Sequence, residues 1–143
     1  MTSSKVHVLA LPLPVQGHIN PLLQFCKRLE AKGVKATFVN TVFLSKSVHA
    51  DPKSTLNFET ISDGYDDGGH AAAESFEAYV EKFTTVGSKT LADLIRKLED
   101  NGQPVQAVIY DPHLKWALDV AKQFGLVTAA FFTQTCAVNS VYY

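Results

Sequence analysis

Cysteine is scarce in this chain. Its 143 residues include two, Cys26 and Cys136. They stand far apart, outside any CxxC pattern and in apolar company. That pattern reads as buried free thiols rather than a disulfide, and it suits a reducing compartment. A surplus of one charge is also missing. Thirteen Lys and Arg face fourteen Asp and Glu, for a formal net charge of −1, which leaves no electrostatic case for nucleic acid or an anionic membrane surface. No segment approaches the roughly 20 apolar residues of a membrane helix, so no stable membrane insertion is expected. Val6 to Leu11 resembles a secretory leader at first sight. His7, Pro12 and Pro14 interrupt it, however, and no small-x-small cleavage site follows. It reads as a buried strand, and the protein as soluble and cytoplasmic. Repeats and low-complexity segments are absent. So are the two common phosphate-cradling fingerprints, GxGxxG after the first strand and GxxxxGK followed by Ser or Thr.

What remains is ordinary globular material, 46% hydrophobic and 19% charged, long enough for one domain that buries on the order of 70% of its unfolded surface. Strands and helices alternate along it. Val6 to Leu11 is a continuous apolar strand. Ile19, Leu22, Leu23, Cys26 and Leu29 recur at helical spacing, with Asn20 as N-cap, Pro21 as first helical residue and Gly33 as the stop. Val34 to Val39 and Leu56 to Ile61 read as the next strands. A Gly- and Asp-rich loop, SDGYDDGGH, follows. A long stripe then runs through Phe76, Tyr79, Val80, Phe83, Val86, Leu91, Leu94, Ile95 and Leu98. Gly87 is expected to break or bend it, and Asn101-Gly102 to end it. Val105 to Tyr110 is a fourth strand, Trp116 to Phe124 a helix ended by Gly125, and Val127 to Phe132 a fifth strand. This alternation predicts an α/β fold: a doubly wound, Rossmann-like parallel sheet with helices on both faces and strand order 3-2-1-4-5. In that order the first and fourth strands are neighbours, and ligands bind outside their carboxyl ends, where the winding reverses.

Two chemically capable residues meet there. His18 follows the first strand and Asp111 ends the fourth. A carboxylate beside an imidazole fixes its tautomer and stabilises the imidazolium formed on proton uptake. The helix N-terminus beside His18 disfavours the charged ring while Asp111 favours it, a balance suited to a general base. The plainer alternative is a loop histidine bonded locally and an aspartate capping the helix before Trp116.

The segment GHINP after an apolar strand, and VIYDPHLKWALDVAKQFGLVTAAFFT, resemble the N-terminal domain of plant UDP-dependent glycosyltransferases of the GT-B fold. The resemblance covers essentially the whole chain, residues 1–143. FCKRLEAKG, TISDGYDDGG and FFTQTCAVNSVYY are most similar to the clade that glucosylates salicylate, related carboxylic acids and thiohydroximates. It implies that His18 is the general base and Asp111 its partner. Gly17 and Thr133 would lie against the donor's sugar-phosphate, and Val15 and Gln16 would line the acceptor site. UDP-glucose would be a co-substrate, with no cofactor and no metal. The family's second, donor-binding domain has no counterpart here, so the chain reads as the acceptor-binding half of a two-domain enzyme, incomplete at its C-terminal end. Exposed apolar surface near Phe131, Phe132, Val138 and Tyr142, with self-association, is expected from that. Other readings are a non-catalytic small-molecule binding domain left by truncation and another Rossmann-like nucleotide binder, which the missing glycine fingerprint disfavours.

Three signals are set aside. Asp63 to Glu74 half-matches a calcium loop, but Tyr65 and His70 occupy positions needing an oxygen donor and an apolar residue, so it reads as a flexible connection near the acceptor mouth. His49 and His70 have no partner at metal spacing. His113, next to Asp111-Pro112, is placed either at the cleft rim or, the plainer reading, on the surface.

Overall fold

The computed structural model describes residues 6–13, 16–45 and 56–131. Strands β1 (His7–Leu11), β2 (Lys35–Thr41), β3 (Asn57–Ile61), β4 (Ala107–Tyr110) and β5 (Val127–Ala130) alternate with helices α1 (Gln16–Ala31), α2 (Val42–Ser45), α3 (Phe76–Asp100) and α4 (Lys115–Gln123). All strand pairs are parallel, and the order is β3-β2-β1-β4-β5, as the alternation predicts.

Successive strand side chains point to opposite faces, so each face has its own core. Leu9, Leu11, Val39, Ile61 and Val108 pack with α3 and α4. Ala10, Ala36 and Phe38 pack with Ile19, Leu22 and Cys26 of α1. The sheet's centre is mostly apolar because helices cover both sides, with His7 of β1 and Thr37, Asn40 and Thr41 of β2 as its buried polar residues. Its edges are more open: β5 alternates between exposed and half-buried residues, β3 has exposed residues at Asn57 and Thr60, and Val127 is largely exposed. Cys26 is a buried free thiol, and desolvation pushes it up to about 12; Cys136 lies outside the described residues. Phe131 is not the exposed apolar residue expected. It is half-buried, with its ring 5.2 Å from that of Phe25. Phe132, Val138 and Tyr142 lie outside the described residues.

Three helices stop the same way. Gly33, Gly102 and Gly125 adopt positive φ after α1, α3 and α4. Each donates back into the last turn, and the next residue donates to the carbonyl five before it, as Val34 does to Leu29. A left-handed residue closes this motif, and glycine takes that conformation without strain.

Helix α3 corrects the sequence reading. It runs unbroken through Gly87, and Gly87 is buried. A Cβ there would stand 2.7 Å from Phe83 Cδ1 and 2.8 Å from Trp116 Cη2 and Cζ2. The glycine is a seat for the α4 indole rather than a break. Phe76, expected in the core, is exposed, because α3 begins only at that residue, behind the Ser75 cap. The loop before α3 is better anchored than expected. Asp63, 1% exposed, accepts from Tyr65 N–H at 2.8 Å and Tyr79 O–H at 2.7 Å. Burial, with Asp63 alongside, pushes the Tyr79 phenol up.

His7, the polar break in β1, is buried at the opposite end of the strand from His18. Its Nδ1–H donates to the Gln103 carbonyl at 3.1 Å, and Nε2 accepts from Thr37 Oγ1 at 2.7 Å. Burial lowers its proton affinity, partly opposed by the Gln103 carbonyl. The folded ring therefore stays neutral where the unfolded ring, with an ordinary value near 6.5, gains a proton. That contribution to stability is full above about pH 6.5 and is lost as pH falls. Thermal melts between pH 7.5 and 5 should show the midpoint falling on acidification, and His7→Gln should flatten the fall. Equal slopes for the two proteins would refute it.

Candidate active site

The carboxyl ends of β1 and β4 stand side by side. Leu11 is paired with Tyr110, and the Asp111 N–H donates to the Leu11 carbonyl at 2.9 Å. From this point the chain leaves β1 toward α1 and β2, and leaves β4 toward α4 and β5. The two departures diverge, so a crevice opens between them. The side chains of His18 and Asp111 meet at that point, His18 Nδ1 lying 2.5 Å from Asp111 Oδ2.

Helix α1 starts earlier than the Asn-Pro pair suggests. Gln16 is its first residue, so His18 lies inside its first turn and Pro21 inside the helix. Asn20 is not the cap. Proline's missing N–H leaves the Gly17 carbonyl without its usual donor four residues on. Gly17 is exposed, so water can supply that bond. Being helical, His18 has its backbone held rigidly, which a loop residue would lack.

Asp111 is 3% exposed, and both of its oxygens are used. Oδ2 faces His18. Oδ1 accepts from the His113 backbone N–H at 2.9 Å and faces His113 Nδ1 at 2.7 Å. The Asp111 carbonyl accepts from Leu114 N–H at 2.8 Å, turning the chain into α4. The plainer sequence alternative thus holds in part: Asp111 shapes the entry to α4 while also meeting His18. An ionised carboxylate only accepts hydrogen bonds. Both imidazoles therefore carry hydrogen on Nδ1, and the lone pair of neutral His18 is on Nε2. His18 is 21% exposed in its side chain, enough for a small molecule to reach it.

His113 was missed as a site residue. It is exposed, as expected of a surface histidine, yet its ring is bound to Asp111 and meets the His18 ring edge-on, with centroids 5.3 Å apart and planes at 87°. A signal was available in the sequence: an aspartate side chain readily accepts from the backbone N–H two residues on, which brings that residue to its side. Ligand atoms of His18, Asp111 and His113 all lie within 4.8 Å of one another, so a metal centre has to be considered. A tetrahedral ion bound at 2.0–2.2 Å holds its ligands roughly 3.3 Å apart. The 2.5 and 2.7 Å separations are instead those of direct hydrogen bonds. Of the other expected site residues, Gly17 lies on the first turn of α1 with nothing within 4 Å of where a Cβ would stand. Only the backbone of Gln16 is described, and Val15 and Thr133 lie outside the described residues. No helix among the described residues is long and apolar enough to cross a membrane.

A sequence profile described as "Glycosyltransferase, N-terminal domain" matches residues 4–57. The chain is 50% identical over 143 residues to flavonol 7-O-beta-glucosyltransferase UGT74F1 of Arabidopsis thaliana, covering all of this chain and 32% of that protein. It is 42% identical over 137 residues to indole-3-acetate beta-glucosyltransferase of Zea mays, covering 96% of this chain and 29% of that one. It thus spans about a third of the length of these curated relatives. Among solved structures, Os79 from O. sativa in complex with U2F and trichothecene superposes with a TM-score of 0.89 at 41% identity, over 94% of this chain and 31% of that one. In sequence along its length and in fold over its described residues, the chain is similar to the N-terminal part of plant UDP-glycosyltransferases.

Proposed function

We propose that this domain binds the acceptor and supplies the general base of an inverting UDP-glucosyltransferase acting on small hydrophobic phenols or carboxylic acids. The observation that carries the reading is the hydrogen bond from His18 Nδ1 to the buried Asp111 carboxylate at the mouth of the switch-point crevice. It leaves Nε2 free to take a proton. In the proposed reaction Nε2 removes the hydroxyl proton of a phenol, and the oxygen attacks the anomeric carbon of UDP-glucose. The bond to UDP breaks on the opposite side, UDP leaves with the electron pair, and the configuration inverts. The proton stays on His18, where Asp111 balances the charge. A carboxylic acid acceptor is already ionised near neutral pH, so for it the pair acts mainly by orientation.

Relatives named for a flavonol and for indole-3-acetate support an acceptor range that includes hydroxyl and carboxyl groups. The clade assignment to salicylate, related acids and thiohydroximates rests on the sequence resemblance. The open space at Gly17 suits the close approach of a sugar-phosphate. By the same resemblance Thr133 joins it, Val15 and Gln16 line the acceptor side, and the uridine grip belongs to a second domain. The test is to join this chain to the C-terminal domain of a similar plant glucosyltransferase and supply UDP-glucose with phenols and aromatic acids. A β-glucoside is the expected product. A chimera that binds UDP yet transfers to no acceptor would leave a binding domain without chemistry and overturn the assignment.

A further inference from the structure

We propose that His113 is a positioning residue for the His18–Asp111 pair, holding the carboxylate in the rotation that aims Oδ2 at the base. This rests on the reading of His18 as general base.

The argument starts from the carboxylate's freedom. The terminal torsion of an aspartate is broad and roughly two-fold, so one bond from His18 does not define where its oxygens point. Two further donors do. The His113 backbone N–H at 2.9 Å and ring Nδ1–H at 2.7 Å converge on Oδ1, leaving Oδ2 to His18 alone at 2.5 Å. The division is one oxygen per imidazole. The backbone donor survives any substitution at 113 except proline; the ring donor is lost unless another side-chain N–H replaces it.

The ring has a second effect. It stands edge-on to the His18 ring at 5.3 Å and limits how far that ring can swing from the crevice. His113 is itself held, because it lies in the turn from Asp111 into α4, and the Trp116 indole of α4 is seated against Gly87. The orientation of the base thus traces back to the contact between α3 and α4.

The two effects separate by substitution. His113→Asn places an amide N–H near the position of Nδ1 and removes the ring. His113→Phe keeps a ring of similar width and removes the donor. The spectroscopic readout is the low-field imidazole N–H proton of His18, recorded on this chain by NMR and assigned by its loss in His18→Gln, because Asp111 accepts from both imidazoles. It should be strong in the wild type and in His113→Asn, and weakened or broadened in His113→Phe. Amide spectra of the same samples report folding, and should the Phe variant not fold, His113→Ala replaces it. In the two-domain chimera, His113→Phe should lower kcat for a phenol about tenfold, the scale of one charge-assisted hydrogen bond, with acceptor KM little changed and His113→Asn restoring most of it. An unaltered low-field signal in the donor-less variants would overturn the proposal, as would its loss in His113→Asn. If the signals behave as expected while wild-type chimera transfers no glucose, the positioning geometry stands and the catalytic reading of His18 fails.

Discussion

If His18 is the base proposed above, replacing it with alanine in the two-domain chimera should lower turnover of a phenolic acceptor by about 10²–10⁴-fold, the usual contribution of a positioned general base. UDP-glucose affinity should hardly change, because the imidazole is assigned to the acceptor proton and not to the donor. The loss should shrink for a carboxylic acid acceptor, which reaches the site ionised. Asp111→Asn should also impair phenol turnover. It keeps an oxygen acceptor but removes the negative charge that balances the imidazolium, and an amide nitrogen facing either ring can disturb the tautomer. Steady-state kinetics of both variants on a matched phenol and acid decide the matter. Wild-type turnover of the phenol by His18→Ala would end the base assignment. Equal losses on both acceptors would make His18 mainly a residue that orients the acceptor.

Gly87→Val should destabilise the domain by about 3 kcal/mol, the upper end of the usual cost of overpacking. Its Cβ would meet Phe83 and Trp116 ring atoms at 2.7–2.8 Å. Those rings are buried and already in tilted contact at 5.0 Å, so neither offers a flexible end that could move aside. The gain in helix propensity over glycine is only a few tenths of a kcal/mol for a β-branched residue. Gly87→Ala should lose less, because a larger propensity gain offsets part of the clash. The chain contains a single tryptophan, so intrinsic fluorescence reports directly on this contact. The Val variant should shift the emission and lower the denaturation midpoint. A variant as stable as the wild type, with unchanged emission, would show that the two helices can part without cost. Because α4 begins just after His113, this substitution should also loosen the Asp111 turn.

Much of this was legible in the sequence, for definable reasons. Apolar runs with helical stripes between them report which residues are buried, and burial on both sides of each central strand requires a parallel sheet covered on two faces. Strand order then follows from chain connectivity, and the switch point follows from strand order. That is why His18 and Asp111, 93 residues apart, could be brought together without coordinates. The Schellman stops after α1, α3 and α4 were equally legible, since Gly33, Gly102 and Gly125 take a backbone conformation that side-chain-bearing residues avoid.

Only the tertiary structure decided the rest. An Asn-Pro pair has the local chemistry of a helix start, but α1 begins at Gln16, and Pro21 is tolerated inside because the carbonyl it leaves unpaired belongs to exposed Gly17. Gly87 has the local chemistry of a helix break, yet it marks where an aromatic ring from another helix comes closer than any Cβ allows. Asp63 sits among loop formers but is buried against Tyr79. His113 looks like surface, and part of it is, but its ring lies against the buried face of Asp111. Each of these depends on the distance between two elements. Periodicity along a chain records whether a residue is covered. It carries no record of what covers it, or how closely.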